Sequence, residues 1–235
     1  MLRAIILLVI LVLPASAETR AETEARFQSW KESTVWPKAQ GEGVTRATFD
    51  ATLKGKRLMW DLPGILPPGA KPKAATGQAE FGSPARYFRE KNLAGLAGTG
   101  RSLAKKHADT LARIEGTTGV PGRILLAIWG RESGFGRVSI PHDAFAVLAT
   151  RAFLGTRAPD WFTGELVGAM KIAQAGHAPS TAIKSSWAGA LGQPQFMPTS
   201  FLTYAADGDG DGRADIWQSD ADALASIASY LAQHG

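Results

Sequence analysis

No stretch of this chain alternates apolar and polar residues long enough to promise a large sheet, while apolar residues recur at helical spacing along much of it. A strand needs period two to bury one face; a helix needs about 3.6. The expected fold class is therefore mainly α with little sheet. At 235 residues the chain can build one substantial core, or one core with a small appended lobe. Apolar residues make up 45% and charged residues 20%, a globular mix that excludes wholesale disorder and a polytopic membrane protein. There is no cysteine, so no disulfide holds the fold.

Residues 1–17 differ in kind. Arg3 precedes an apolar run over 4–13, then Pro14 and the small triplet Ala15-Ser16-Ala17, the pattern of a cleavable secretory signal. Ten apolar residues make a helix of about 15 Å, against a bilayer core of about 30 Å, so a permanent span is not expected. Export to the periplasm follows, and without a cysteine no lipoprotein anchor. Losing Arg3 takes the formal charge from +5 to +4, which modestly favours an anionic polymer, while export disfavours nucleic acid.

In the mature region, residues 21–31 read as a helix with Phe27 and Trp30 on one face. Residues 58–84 hold five prolines among several glycines and read as a connecting wrap. Residues 100–119 read as one helix carrying Leu103, His107, Leu111 and Ile114 on one side. Further helices are expected near 143–154, 161–175, 198–205 and 220–233. His107, His142 and His177 have no ligand-like spacing and receive no chemistry.

After Val120-Pro121-Gly122 an almost uninterrupted apolar run leads to Arg131-Glu132, and Gly134 and Gly136 end the helix. A carboxylic acid can protonate a leaving oxygen only if its pKa is raised toward working pH. An apolar setting and a helix C-terminus both act in that direction on Glu132. On helix-end position alone, a solvated glutamate beside Arg131 is the favoured reading, and only the wider sequence context reverses it.

An acidic loop follows later. Asp207, Asp209, Asp211 and Asp215 stand at positions one, three, five and nine of an EF-hand-like spacing, with Gly212 at six and Arg213 at seven, the backbone-carbonyl position. Hard oxygen ligands at that spacing suit a structural Ca2+. The twelfth position is Gln218 rather than glutamate, and a metal-free, glycine-rich acidic turn is the competing reading.

The segment Ala127-Ile128-Trp129-Gly130-Arg131-Glu132-Ser133-Gly134-Phe135-Gly136, the block 186–198 (SWAGALGQPQFMP) and the acidic loop, in that order, resemble lytic murein transglycosylases of the B family, glycoside hydrolase family 103 of the lysozyme-like superfamily. The resemblance covers 77–235; residues 18–76 match loosely and form an N-terminal helical and proline-rich wrap. It implies a lysozyme-like helical catalytic domain with an inserted calcium loop over 207–222, whose late carboxylate would be Asp222, with Asp220 as a substitute.

The same resemblance implies cleavage of the MurNAc-β-1,4-GlcNAc bond of peptidoglycan glycan strands with 1,6-anhydroMurNAc ends, by Glu132 acting as acid and then base. It places Ser186 beside that glutamate, and Gln195 and Tyr230 on substrate. Tyr87 is a weaker match that could equally fill the core. Relatives continue past the His234-Gly235 equivalent and supply another cleft residue there. The implied protein is a monomer, with cell-wall synthesis or secretion machinery open as partners. The competing functions are a muramidase, in which water attacks, and a calcium-stabilised wall-binding module without catalysis.

Overall fold

The computed structural model describes residues 18–70, 90–156 and 158–235; the signal-like run and Tyr87 lie outside these. The described residues are mainly helical: α1 (Arg20–Trp30), α2 (Trp36–Gly41), α3 (Arg46–Leu53), α4 (Glu90–Lys106), α5 (Ala108–Thr118), α6 (Gly122–Ser133), α7 (Ala144–Leu154), α8 (Pro159–Gln174), α9 (Pro198–Tyr204) and α10 (Asp220–His234). The sheet is a single antiparallel pair, β1 (His142–Asp143) and β2 (Lys184–Ser185), in register His142 to Ser185.

Two expectations need correction. The first helix does not stop near Lys31 but runs through a π-helical turn, Lys31–Val35, into α2. The helix expected over 100–119 starts ten residues earlier and breaks at His107, whose backbone leaves the helical region at φ −107, ψ 24. Apolar periodicity survives the break, which is why the sequence read as one helix: Leu111 and Ile114 are buried, and Leu103 packs on the same cluster.

The interior divides into two main apolar clusters. One gathers Phe27, Val35 and Phe49 from the N-terminal helices around α7, α8 and α9, with Phe145, Leu148, Leu166 and Phe201 at its centre. The other joins α5, α6 and α10 through Leu111, Leu125, Trp129, Leu224 and Ile227. The N-terminal wrap is tied to the first by Lys56, which pairs with Asp143, the N-cap of α7. The catalytic-looking segment belongs to the second cluster and the SWAGALGQPQFMP block largely to the first.

Candidate active site

Helix α6 begins without a side-chain cap of its own; Glu115 of α5 accepts the Gly122 N–H at 3.0 Å instead. Each residue at its other end has an identifiable task. Gly134 adopts the left-handed conformation at φ 58, and the Phe135 N–H returns to the Trp129 carbonyl at 3.2 Å. Phe135 packs edge-on against Trp129, with ring centroids 5.4 Å apart. Gly130 makes room for that ring, since a Cβ there would lie 2.6 Å from it. Ser133 is buried and accepts the Gly136 N–H at 2.9 Å.

The second block folds back on itself. Leu191 and Phe196 exchange both backbone hydrogen bonds, at 2.6 and 3.1 Å, leaving Gly192-Gln193-Pro194-Gln195 at the tip. Gly192 and Gln195 both have positive φ, 60 and 55. A side chain at 192 would collide with Ile216, including its carbonyl, at 2.8 Å or less. Gln195 has no such release, and a strained non-glycine residue at a loop tip is a feature of functional sites.

Between these two pieces lies a cleft of about 310 Å3 lined by Glu132 and Ile128 of α6, the 194–197 strip, Ser200 of α9, and Ile227, Tyr230 and Leu231 of α10. Glu132 is exposed toward this cleft rather than enclosed, a correction to the apolar burial expected of it. Enough protein surrounds it that burial still pushes its carboxyl above the ordinary glutamate range, against the opposing pull of Arg131. The opposite wall is mixed, with Gln195, Ser200 and Tyr230 set among apolar residues, and among the lining residues only Tyr230 besides Glu132 is titratable.

Glu132, Gln195 and Tyr230 therefore line one cleft. Gln195 gives its Nε2–H to the Gly192 carbonyl at 2.8 Å, which leaves Oε1 as an acceptor. Tyr230 carries its ring against Phe196, Tyr204 and His234. Ser186 is not among the cleft residues: its Oγ accepts the N–H groups of Ala188 and Ala190 at 3.3 and 3.1 Å, so it holds the turn beneath the loop. Its own proton is left to donate. Phe196, Met197 and Ile128 are cleft residues that the sequence did not single out, because apolar residues there read equally well as core.

The transglycosylase SLT domain model matches residues 26–235. The chain belongs to that family. Among its relatives, the membrane-bound lytic murein transglycosylase B of Escherichia coli K12 is 37% identical over 130 residues, 55% of this chain and 36% of that protein. SltB3 of Pseudomonas aeruginosa, solved with NAG-NAM-pentapeptide, is 33% identical with a TM-score of 0.72, covering 89% of this chain and 53% of SltB3. The E. coli lytic transglycosylase Slt35 with bulgecin A is 25% identical, TM-score 0.69, over 96% of this chain and 69% of Slt35. This SLT domain thus spans about a third of the first relative and half of the second.

In the acidic loop of this SLT domain, the carboxylates of Asp207, Asp209 and Asp211 converge, with one oxygen of each within 4.8 Å of the others. Backbone N–H groups of Gly212 and Gly210 hold the Asp207 carboxyl below the ordinary range. The three fit a hard cation. Asp222 stands otherwise: it is 1% exposed and its two oxygens accept the Gly208 and Asp215 N–H groups, each at 2.7 Å. Asp215 caps Trp217 and Gln218, Arg213 gives its N–H to Asp211, and Asp220 lies 3.2 Å from Lys106 and from His107. Among the described residues no helix is long and apolar enough to cross a membrane.

Proposed function

We propose that this chain is an exported, periplasmic lytic transglycosylase that cleaves peptidoglycan glycan strands, with Glu132 as its acid and base. The observation that carries this reading is the meeting of Glu132, Gln195 and Tyr230 in one cleft, with the Glu132 carboxyl pushed toward its protonated form. A proton donor must be neutral before it acts, and desolvation shifts a carboxyl in that direction.

Glu132 gives its proton to the oxygen bridging MurNAc C1 to GlcNAc C4 as the C1–O bond breaks. The acetamido oxygen of the same MurNAc shields the cationic C1, which needs no second protein carboxylate. Glu132, now ionised, takes the proton of the MurNAc C6 hydroxyl while that oxygen bonds to C1. The product is a 1,6-anhydro ring, and the acid is regenerated. Gln195 Oε1 accepts from an acetamido N–H or hydroxyl of the glycan.

A calcium ion held by Asp207, Asp209 and Asp211 would offset their mutual repulsion and pin the loop; it brings no reacting group. The deciding experiment is mass analysis of purified sacculi after incubation with the mature protein. Anhydro-ended muropeptides, absent with Glu132→Gln, support the reading. Reducing ends would mean that water attacks instead, and identical digests from both proteins would leave a wall-binding module.

A further inference from the structure

Gln193 has a place that no catalytic role accounts for. It is 7% exposed, at the tip of the loop that carries Gln195, and its side chain points away from substrate into the protein. Its Oε1 accepts the Trp129 indole N–H at 2.7 Å, a buried bond between residues 64 apart, and its Nε2 donates to the Trp217 carbonyl at 3.4 Å. Its backbone N–H reaches the Ile216 carbonyl at 2.9 Å.

The surroundings are shaped to admit it. Gly136, at φ 74, sits so close that a Cβ there would meet the Gln193 Oε1 at 2.5 Å. Gly136 is held by Ser133, and the carbonyl of Trp129 receives both the Ser133 hydroxyl and the Phe135 N–H. The amide thus touches the last turn of α6 on one side and the end of the acidic loop on another. Glu132 projects from that same turn, and the cleft wall facing it, 194–197, begins one residue after Gln193.

We propose that Gln193 is a positioning residue: through Trp129 it fixes the distance between the helix bearing Glu132 and the loop bearing Gln195, and so the width of the cleft. The inference rests on Glu132 being the acid. Trp129 belongs to one apolar cluster and Leu191 and Phe196, which flank Gln193 in the loop, to the other; the cleft, lined by Ile128 and Ile227 from the first and Phe196 and Met197 from the second, opens at their junction, so a bond across that junction governs it. A buried polar pair also has one satisfied geometry, whereas apolar contacts slide at little cost.

The test uses Gln193→Met, which keeps the length of the side chain and removes both polar atoms, Trp129→Phe, which removes the donor N–H together with the bulk of the indole's second ring, and the two together. The first readout is the titration of the Glu132 carboxyl, followed by carbon NMR, which requires no turnover. Arg131 on its own helix and Tyr230 across the cleft are the charged or titratable groups that face it. With the tie cut, water enters the cleft and the Glu132 midpoint falls toward the ordinary glutamate value in each variant. The double variant falls no further, because both changes break one bond.

In turnover on sacculi, kcat drops about tenfold or more while KM moves less than twofold, as expected when a reacting group is displaced but binding is kept. A Glu132 midpoint unchanged in Gln193→Met, with only thermal stability lost, would overturn the proposal and leave an ordinary core bond. A wild-type protein that leaves sacculi intact would sink the enzymatic reading instead, and the titration would still decide the role of Gln193.

Discussion

The Asp222 carboxylate accepts the Gly208 N–H at 2.7 Å across fourteen residues of chain, and its other oxygen takes Asp215. Both ends of the acidic loop are thereby stapled to the first turn of α10. Asp222→Ala removes two acceptors at once, and a buried unpaired N–H costs about 1–3 kcal/mol. We expect a loss of about 2–4 kcal/mol in urea unfolding on that basis. Asp222→Asn, which keeps one acceptor oxygen, should lose roughly half as much.

Asp207, Asp209 and Asp211 repel one another, and without a cation their backbone N–H partners and the Ser219 hydroxyl on Asp209 offset this. Added calcium should raise the Tm, and a chelator should reverse the rise. A ligand at a hundred times its Kd adds about 2.7 kcal/mol by mass action. Asp209→Asn should weaken the response without abolishing folding, because Asp222 staples the loop independently. A Tm indifferent to calcium in the wild type would refute the cation site.

Burial raises the Glu132 pKa in the folded state. Below the ordinary glutamate range the group is protonated both folded and unfolded, and its contribution is fully present. As pH rises through the folded pKa, the fold must ionise a carboxyl that its surroundings disfavour, so stability is lost. Glu132→Gln stays neutral throughout. It should therefore raise the Tm near neutral pH, by on the order of 1–2 °C for a chain of this size, and the gain should vanish in acid. Calorimetry across that range would check both the sign and the window. An inactive variant more stable than its parent is the usual mark of a residue kept for chemistry.

Helices were legible wherever an apolar stripe faced a core, as at α7, α8 and α10, and their ends were legible where glycine or proline marked them. The break at His107 was not, because a kink that keeps the same residues buried leaves the periodicity intact. The meeting of Glu132 with Gln195 and Tyr230 came from motif order, since nothing in local spacing brings residues that far apart in sequence together. Ser186 shows the limit of that transfer: its hydroxyl caps a turn, a use no motif records. Gln193 escaped notice because a glutamine between glycine and proline in a loop looks solvent-facing. Only the fold shows Trp129 waiting for it.

Gln195 holds φ at 55 although a glutamine is disfavoured there, by about 1–2 kcal/mol for a left-handed L residue. Comparing Gln195→Gly with Gln195→Ala isolates that strain, because both lose the amide and its bond to Gly192. In a helix alanine would win; here glycine should be the more stable by about 1 kcal/mol in urea unfolding. Both variants should bind glycan fragments more weakly by a similar factor, since the amide, not the backbone, faces the cleft. If alanine proved as stable as glycine, the left-handed tip would be relaxed, and the strain at Gln195 could not be credited to function.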